Sequence, residues 1–498
     1  MAVQYPLAGS SVSASLARDR LGVSAIVFFV LSAVAPLTVV AGSVTAMFAV
    51  TGLRAIPVAY VVVALVLATF SVGFVAMARR ITNAGAFYAF VARGLGRPAG
   101  VGVALMAVLA YNILQVALYG VFGVAMADYA SVHFGASAPW WIWSLAAWAV
   151  VAVLGLARVD LNGKVLAVLL ATEVAVVIVL TVAGLAHPAG AVGTDALNVG
   201  ELFTPGVGAL LVMAVLGYVG FEAAAVFSEE ARHPGRTVPA ATYLSLGLIG
   251  VVYAAASFAM VVYHGPDQVA TVAAEMGPGM LFVMAGDTVA TVASTLFLTS
   301  IFAAAISFHN AVGRYMFALG RERVLPAVLG QTHRRTGAPR AASLVQSGIA
   351  LAVIVGYTVA NRDPLVELFY YGGATGGFGV LALLGVTSVA VVAYFARHPS
   401  GETLWRRLVA PAGSAVLLGG MLWAAVHNFA ILLGPQAPPA LAVILPSSYA
   451  VVALLGVGWG LWLRARHPAV YASIGLGANA TTGRDRTDAP TQPAWGAR

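Results

Sequence analysis

The chain has 498 residues, 61% hydrophobic and only 9% charged, with a mean hydropathy of +0.93. Soluble domains carry about 25% charged residues, so this composition excludes a soluble globular protein and implies an integral membrane protein whose solvent is the lipid bilayer. The net charge of +8 does not imply a nucleic-acid partner, because the basic residues are scattered singly or in pairs between apolar runs. With no cysteine, disulfides, thiol catalysis and cysteine metal sites are excluded.

Residues 1–20 are polar and include Arg18 and Arg20; they read as a cytoplasmic tail. The apolar run that follows is too long for a signal-peptide core and reads as a retained first span. Further runs long enough to cross a bilayer fall near 55–78, 99–127, 139–157, 164–186, 206–228, 239–263, 281–319, 341–360, 368–396, 409–433 and 440–463. With the first at 21–49, twelve spans are expected. If the N-terminus is cytoplasmic, every one of the 26 Lys and Arg except Arg54 and Arg362 lies on the inner side, the positive-inside pattern. Outer loops carry Asp195, Glu201, Asp267 and Glu275. The polar tail 475–498 reads as disordered and cytoplasmic. The expected location is the cell membrane, multi-pass, with both termini inside.

Two spans are interrupted. The first contains LSAVAPLTVVAG, with Pro36 mid-run, and the sixth contains LGYVGFEAAAVFSEEARHPGRTVP, where Gly217, Tyr218, Gly220 and Phe221 precede Glu222. Broken helix survives at membrane depth only where protein or a water-filled cavity satisfies its backbone. Breaks in the first helix of each of two five-helix units point to inverted repeats around a midplane site. The domain reading is a transporter region over 21–467, with one repeat at about 21–187, a second at about 206–396 and extra helices at about 409–465.

The half-helix ends suggest the chemistry. N-terminal ends around Leu37-Thr38 and Gly220-Phe221 are expected to present free N–H groups to a carboxylate. C-terminal ends around Ala33 to Ala35 and Leu216-Gly217 present carbonyls to an ammonium. An α-amino acid carries one of each. Tyr218, in the break itself, either covers the site or packs as an ordinary membrane aromatic. In the third span Tyr111 and Gln115 share a helix face beside Asn112; they either read the substrate or bond across helices.

Glu173 lies nine residues beyond Lys164, about 14 Å along a helix and so near the midplane. Low-dielectric surroundings disfavour a carboxylate's charge, which makes this group either a proton carrier or a permanently neutral hydrogen-bonding group. Glu222 is the second proton-coupling candidate, or else holds its broken helix together by accepting backbone N–H bonds. Thr299, Ser300 and Ser307 offer oxygens to sodium, although hydroxyls in membrane helices mostly bond their own backbone. His309 and His427 have no partner at metal-ligand spacing and read as structural. No nucleotide motif is present, and no cofactor or metal is expected. Glu229 and Glu230, beside Arg232 and Arg236, form either part of an inner gate or a solvated charged surface.

Four segments resemble the amino acid-polyamine-organocation permeases: SAVAPLTVVAG, YNILQVALYGVFG, GYVGFEAAAVFSEEARHPGRTVPAA and HNAVGRYMFALGRERVLPAVLGQTHRRTGAPRAA, in that order. The resemblance implies an all-α fold of twelve transmembrane helices, a leucine-transporter-like five-plus-five inverted repeat with discontinuous helices 1 and 6 and two C-terminal additions. It implies secondary transport of an amino acid or related amine. It also implies that Phe308 lies over the substrate, that Tyr111 and Gln115 line the pocket, and that Glu222 matches a carboxylate common in the sixth helix. The expected substrate seat is Ala33, Ala35, Pro36, Leu37, Thr38, Tyr111, Gln115, Gly217, Tyr218, Gly220, Phe221 and Phe308, with Glu173 and Glu222 for the proton.

One departure stands out. Ala35-Pro36-Leu37 replaces the glycine or serine of many family members, leaving room for a substrate without a normal carboxylate. The functional expectation is a proton-coupled symporter or exchanger rather than an enzyme, with a polyamine or modified-amine carrier as the alternative. A non-transporting amine receptor is the reading from another class; it would usually carry an output domain, and both tails are short.

Overall fold

An apolar segment in lipid must pair its own backbone N–H and C=O groups, which a helix does internally. The computed structural model describes residues 21–477, apart from 82–84, 157–158, 205, 228–230, 333–336, 399–400 and 435–436. Among these residues the regular structure is helical, with one isolated bridge between Leu21 and Ala231.

Ten helices are long and apolar enough to cross a membrane, among them the first (Val23–Thr51), third (Arg97–Phe134), sixth (Val207–Ala225), eighth (Asp287–Arg321) and ninth (Arg340–Val359). Of the other two expected spans, the fifth is the helix Val159–Ala186, 28 residues long, and the fourth is Trp140–Gly155, 16 residues long. Each of the twelve expected spans thus contains a helix among the described residues, ten of them long and apolar enough to cross a membrane. A 16-residue helix such as the fourth reaches only about 24 Å, short of a hydrocarbon core of about 30 Å.

Close packing rests on small residues. A Cβ added at Gly456, on the last long helix, would lie 2.6 Å from the Cα of Gly102 on the third; the two backbones touch there, as glycine pairs permit between membrane helices. Short helices not expected from the sequence include Ala86–Gly94 between the second and third spans, Val269–Met276 and Gly279–Phe282 before the eighth, and Pro468–Ser473 after the last.

The C-terminal tail is anchored at its first residues. The tail was expected to be disordered from Gly475, yet Gly475 and Gly477 donate their N–H groups to the two carboxylate oxygens of Glu322, both at 2.8 Å. The Ser473 hydroxyl adds a bond to the Glu322 carbonyl at 3.0 Å, and Arg97 donates to the Ala472 carbonyl while its guanidinium stacks over Tyr471. Glu322 is 1% exposed, so its acceptor capacity requires partners, and the glycine amides supply them. Residues 478–498 lie outside the described residues.

Glu322→Ala and deletion of residues 474–498 should each lower thermal stability in detergent by an amount on the order of 2 kcal/mol. Because both remove the same bonds, the double variant should lose little more than either single one. Additive losses would show that the carboxylate and the tail act independently.

Candidate functional site

The first break follows from Pro36. Proline has no N–H for the Ser32 carbonyl, and its ring disfavours the α conformation of the residue before it. Ala35 leaves the helix at φ 50° and ψ 72°, a left-handed conformation that costs a non-glycine residue about 1–2 kcal/mol. The next donors turn sideways. Leu37 N–H donates to Glu173 Oε1 at 2.5 Å, and Thr38 N–H donates to Ser300 Oγ at 3.1 Å. The Ser300 hydroxyl donates to the same Glu173 oxygen at 2.7 Å, so in its 2.8 Å contact with the Thr38 hydroxyl it is the acceptor. The helix then resumes with Pro36 in its first turn, widens into a π-helical turn over Val39–Val44 and continues to Thr51.

The fifth and eighth helices thus cap the broken first helix. Glu173 is 3% exposed and Ser300 1%. An unpaired buried N–H costs about 1–3 kcal/mol, so the break depends on these two side chains. The free N–H groups expected at Leu37 and Thr38 are not free, because carboxylate and hydroxyl oxygens from distant helices already occupy them. The same geometry strands acceptors. Ser32 loses its i+4 donor to proline, and Ala33 and Val34 lose theirs to Glu173 and Ser300.

The second break runs from Val219 to Glu222, between helices Val207–Tyr218 and Ala223–Val226. Gly220 sits at φ 114°, a conformation open to glycine and costly for other residues. Its N–H donates to Glu222 Oε2 at 3.0 Å, and the Tyr111 hydroxyl donates to Glu222 Oε1. Phe221 N–H turns back to the Tyr218 carbonyl at 3.1 Å. Of the two roles open to Glu222, bonding the broken backbone is the one visible in the geometry. Here too the expected free N–H groups are occupied.

A cavity of about 620 Å³ starts at the first break, where Ala33, Val34, Ala35 and Thr38 line it, and reaches the exposed residues Val50, Glu275 and Met276. Val219, Leu216, Ala304 and Phe308 form other parts of its wall. A second space, of about 30 Å³, is lined by Ala33, Tyr111, Gly220, Glu222, Phe308 and Arg314. Phe308 and Ala33 line both, and so stand between them. The Phe308 ring centroid is 6.0 Å from that of Tyr111.

Of the expected seat, Ala33, Ala35, Thr38 and Phe308 line the large cavity, while Tyr111 and Gly220 join Glu222 at the small one. Pro36, Leu37, Gly217 and Phe221 line neither; Phe221 packs edge-on against Phe70. Tyr218 does not cover the cavity. Its hydroxyl donates to the Tyr60 carbonyl at 2.8 Å and its ring packs among Tyr60 and Tyr253. Gln115 faces other helices: its amide meets Tyr119 and His309 Nδ1, each at 3.2 Å, and Gln346 donates to its oxygen. His309 Nε2 contacts Ser343 at 2.8 Å, so this histidine ties the third, eighth and ninth helices together. Thr299 bonds the Leu296 carbonyl of its own helix. Ser343, Gln346 and Ser300 were not foreseen as partners; all three are polar residues in apolar runs, which is the signal available in the sequence. Glu229 and Glu230 lie outside the described residues.

Comparison with known proteins bears on what such a site does. The family model described as "Amino acid permease" matches residues 21–457. Among individual proteins, the chain is similar to an uncharacterized transporter of Mycobacterium tuberculosis (31% identity, covering 41% of this chain and 49% of the relative). It is similar to the methylthioribose transporter of Bacillus subtilis (26%; 41% and 42%). It is also similar to the branched-chain amino acid permease of Lactococcus lactis (28%; 31% and 32%). The chain spans about half the length of the curated relatives it matches.

Gly220→Ala should destabilise the protein by about 1–3 kcal/mol from its left-handed φ, aggravated by a Cβ placed 3.1 Å from that of Ala33. Gly247→Ala, at a position with nothing within 4 Å of the added carbon, should leave the melting temperature unchanged or raised. Equal effects of the two substitutions would contradict a strained second break.

Proposed function

The chain belongs to the amino acid permease family, and on that premise we propose that it is a secondary transporter of an amino acid or related organic amine, coupled to protons and working by alternating access around the two breaks. The substrate seat in this proposal is the inner end of the large cavity, bounded by Ala33, Ala35, Thr38 and Phe308. Tyr111 and Glu222 support it from the other side of Phe308. Glu275 lies at the end of the cavity that the charge pattern assigns to the outside, so an outward-facing state fits this arrangement. Two five-helix repeats moving around a fixed midplane site would expose the seat to each side in turn.

The observation that carries the coupling is the cap on the first helix. Ionised, Glu173 accepts both Leu37 N–H and the Ser300 hydroxyl at one oxygen, a charge-assisted arrangement about twice as strong as a neutral one. Protonated, it keeps acceptor capacity but loses the charge that strengthens both bonds, so the hold on residues 36–38 relaxes. Proton occupancy is thereby linked to the geometry of the helix that lines the substrate seat. Sodium is disfavoured: Ser300 is committed to Glu173 and Thr38, and Thr299 bonds its own backbone.

Purified protein in proteoliposomes should accumulate a labelled amino acid or amine under an inward proton gradient and not under a sodium gradient. Glu173→Gln should abolish gradient-driven accumulation, a loss of about tenfold or more, while sparing exchange of bound substrate. Accumulation by the variant at the wild-type level would remove Glu173 from the coupling, and sodium-driven uptake would replace the proton by sodium.

A further inference from the structure

The relatives named above include carriers of branched-chain amino acids and of methylthioribose, so family membership leaves the substrate class open. The donors at the two breaks narrow it.

A substrate carboxylate is held by hydrogen-bond donors or a cation, and in a broken-helix site the donors are the N–H groups at the breaks. At the first break Pro36 has no N–H, Leu37 N–H is held by Glu173 and Thr38 N–H by Ser300. At the second, Gly220 N–H is held by Glu222 and Phe221 N–H by the Tyr218 carbonyl. Among the described residues no Lys, Arg or His lines the large cavity. Arg314 lines only the adjoining space of about 30 Å³, where its guanidinium stacks over Phe227 at 4.7 Å. That space is a small fraction of the large cavity, so the body of a substrate is placed in the latter.

Acceptors are in surplus. Ser32, Ala33 and Val34 form the carbonyl end of a half-helix without their i+4 donors, and Ala33 and Val34 line the cavity. The dipole of that end is negative. Among the described residues, the carboxylates around the passage are Glu173 behind the first break, Glu222 behind the second and Glu275 at the mouth, against the single cation Arg314. The Ser43 and Tyr370 hydroxyls in the wall serve either charge. The remainder of the lining is predominantly apolar.

From this we infer that the substrate is an organic amine without a carboxylate, its ammonium against the Ala33–Val34 carbonyls and its apolar body in the large cavity, with Glu173 occupying, in the state seen here, the place where a substrate carboxylate would bind the first helix. The inference rests on the transport reading only in taking the large cavity as the substrate seat. The protein supplies the anion itself, so a ligand that brings another finds the N–H groups of both breaks occupied and two carboxylates nearby. An excluded anion of this kind is discriminated by what the site leaves unpaired, a stronger filter than shape.

The test uses pairs that differ only by the carboxylate: isobutylamine and valine, isoamylamine and leucine, tyramine and tyrosine, putrescine and ornithine. Binding to purified full-length protein is measured by thermal stabilisation and by equilibrium dialysis, and uptake by proteoliposomes is measured separately. The expected result is that, in at least one pair, the amine binds about tenfold or more tightly than its amino acid. Equal or tighter binding of the amino acid in every pair overturns the inference, and so does binding of no member. Amine binding without uptake supports the inference while refuting transport. Glu173→Ala releases Leu37 N–H and should narrow the amine preference at least threefold; an unchanged preference in a variant with wild-type melting overturns the role given to Glu173. If that variant does not fold, the wild-type ratios decide.

Discussion

Breaking a helix inside an apolar bundle strands its backbone N–H groups, and in that environment each must find a partner or cost the fold several kcal/mol. The first helix breaks because Pro36 removes one donor and Ala35 takes a left-handed turn. Two donors remain, and the fifth and eighth helices meet them with Glu173 and Ser300. Much of the surrounding structure depends on that pairing. It joins three helices at one point, sets the wall of the large cavity, and buries a carboxylate that would otherwise have little reason to lie in an apolar interior.

The second break solves the same problem locally. Glu222 lies two residues beyond Gly220 and accepts its N–H directly, with Tyr111 of the third helix on its other oxygen. The two carboxylates therefore differ in what their protonation would disturb. Relaxing Glu222 loosens a turn within one helix and one hydroxyl contact. Relaxing Glu173 loosens the contact between helices far apart in sequence, 136 residues at Leu37 and 127 at Ser300. A transporter that moves one group of helices against another needs its proton on the contact between groups, which favours Glu173 as the carrier in the proposed mechanism.

Much of this was legible in the sequence. Runs of apolar residues gave the helices, Pro36 and Gly220 marked the breaks, and Glu173 stood out as a lone carboxylate in an apolar run. What the sequence could not show was where side chains from other helices point. Tyr111 and Gln115 lie four apart, yet a helix turns about 40° over that spacing, enough to aim Tyr111 at Glu222 and Gln115 at His309 and Gln346. The occupation of Leu37 N–H was hidden for the same reason. The docking of Gly475 and Gly477 on Glu322 was missed because a polar, glycine-containing tail carries no periodic signal, and its partners are backbone amides.

The central claim is that Glu173 changes protonation as the first helix changes shape. Infrared difference spectroscopy of the reconstituted protein reads this directly, since a protonated carboxyl has a C=O stretch distinct from that of the carboxylate. Titrating the wild-type protein across pH, with and without a bound amine, should reveal a protonated-carboxyl band that is missing in Glu173→Gln, accompanied by amide shifts assignable to isotope-labelled Leu37. A band that survives in the variant, or a Glu173 signal that never changes with pH or ligand, would contradict it.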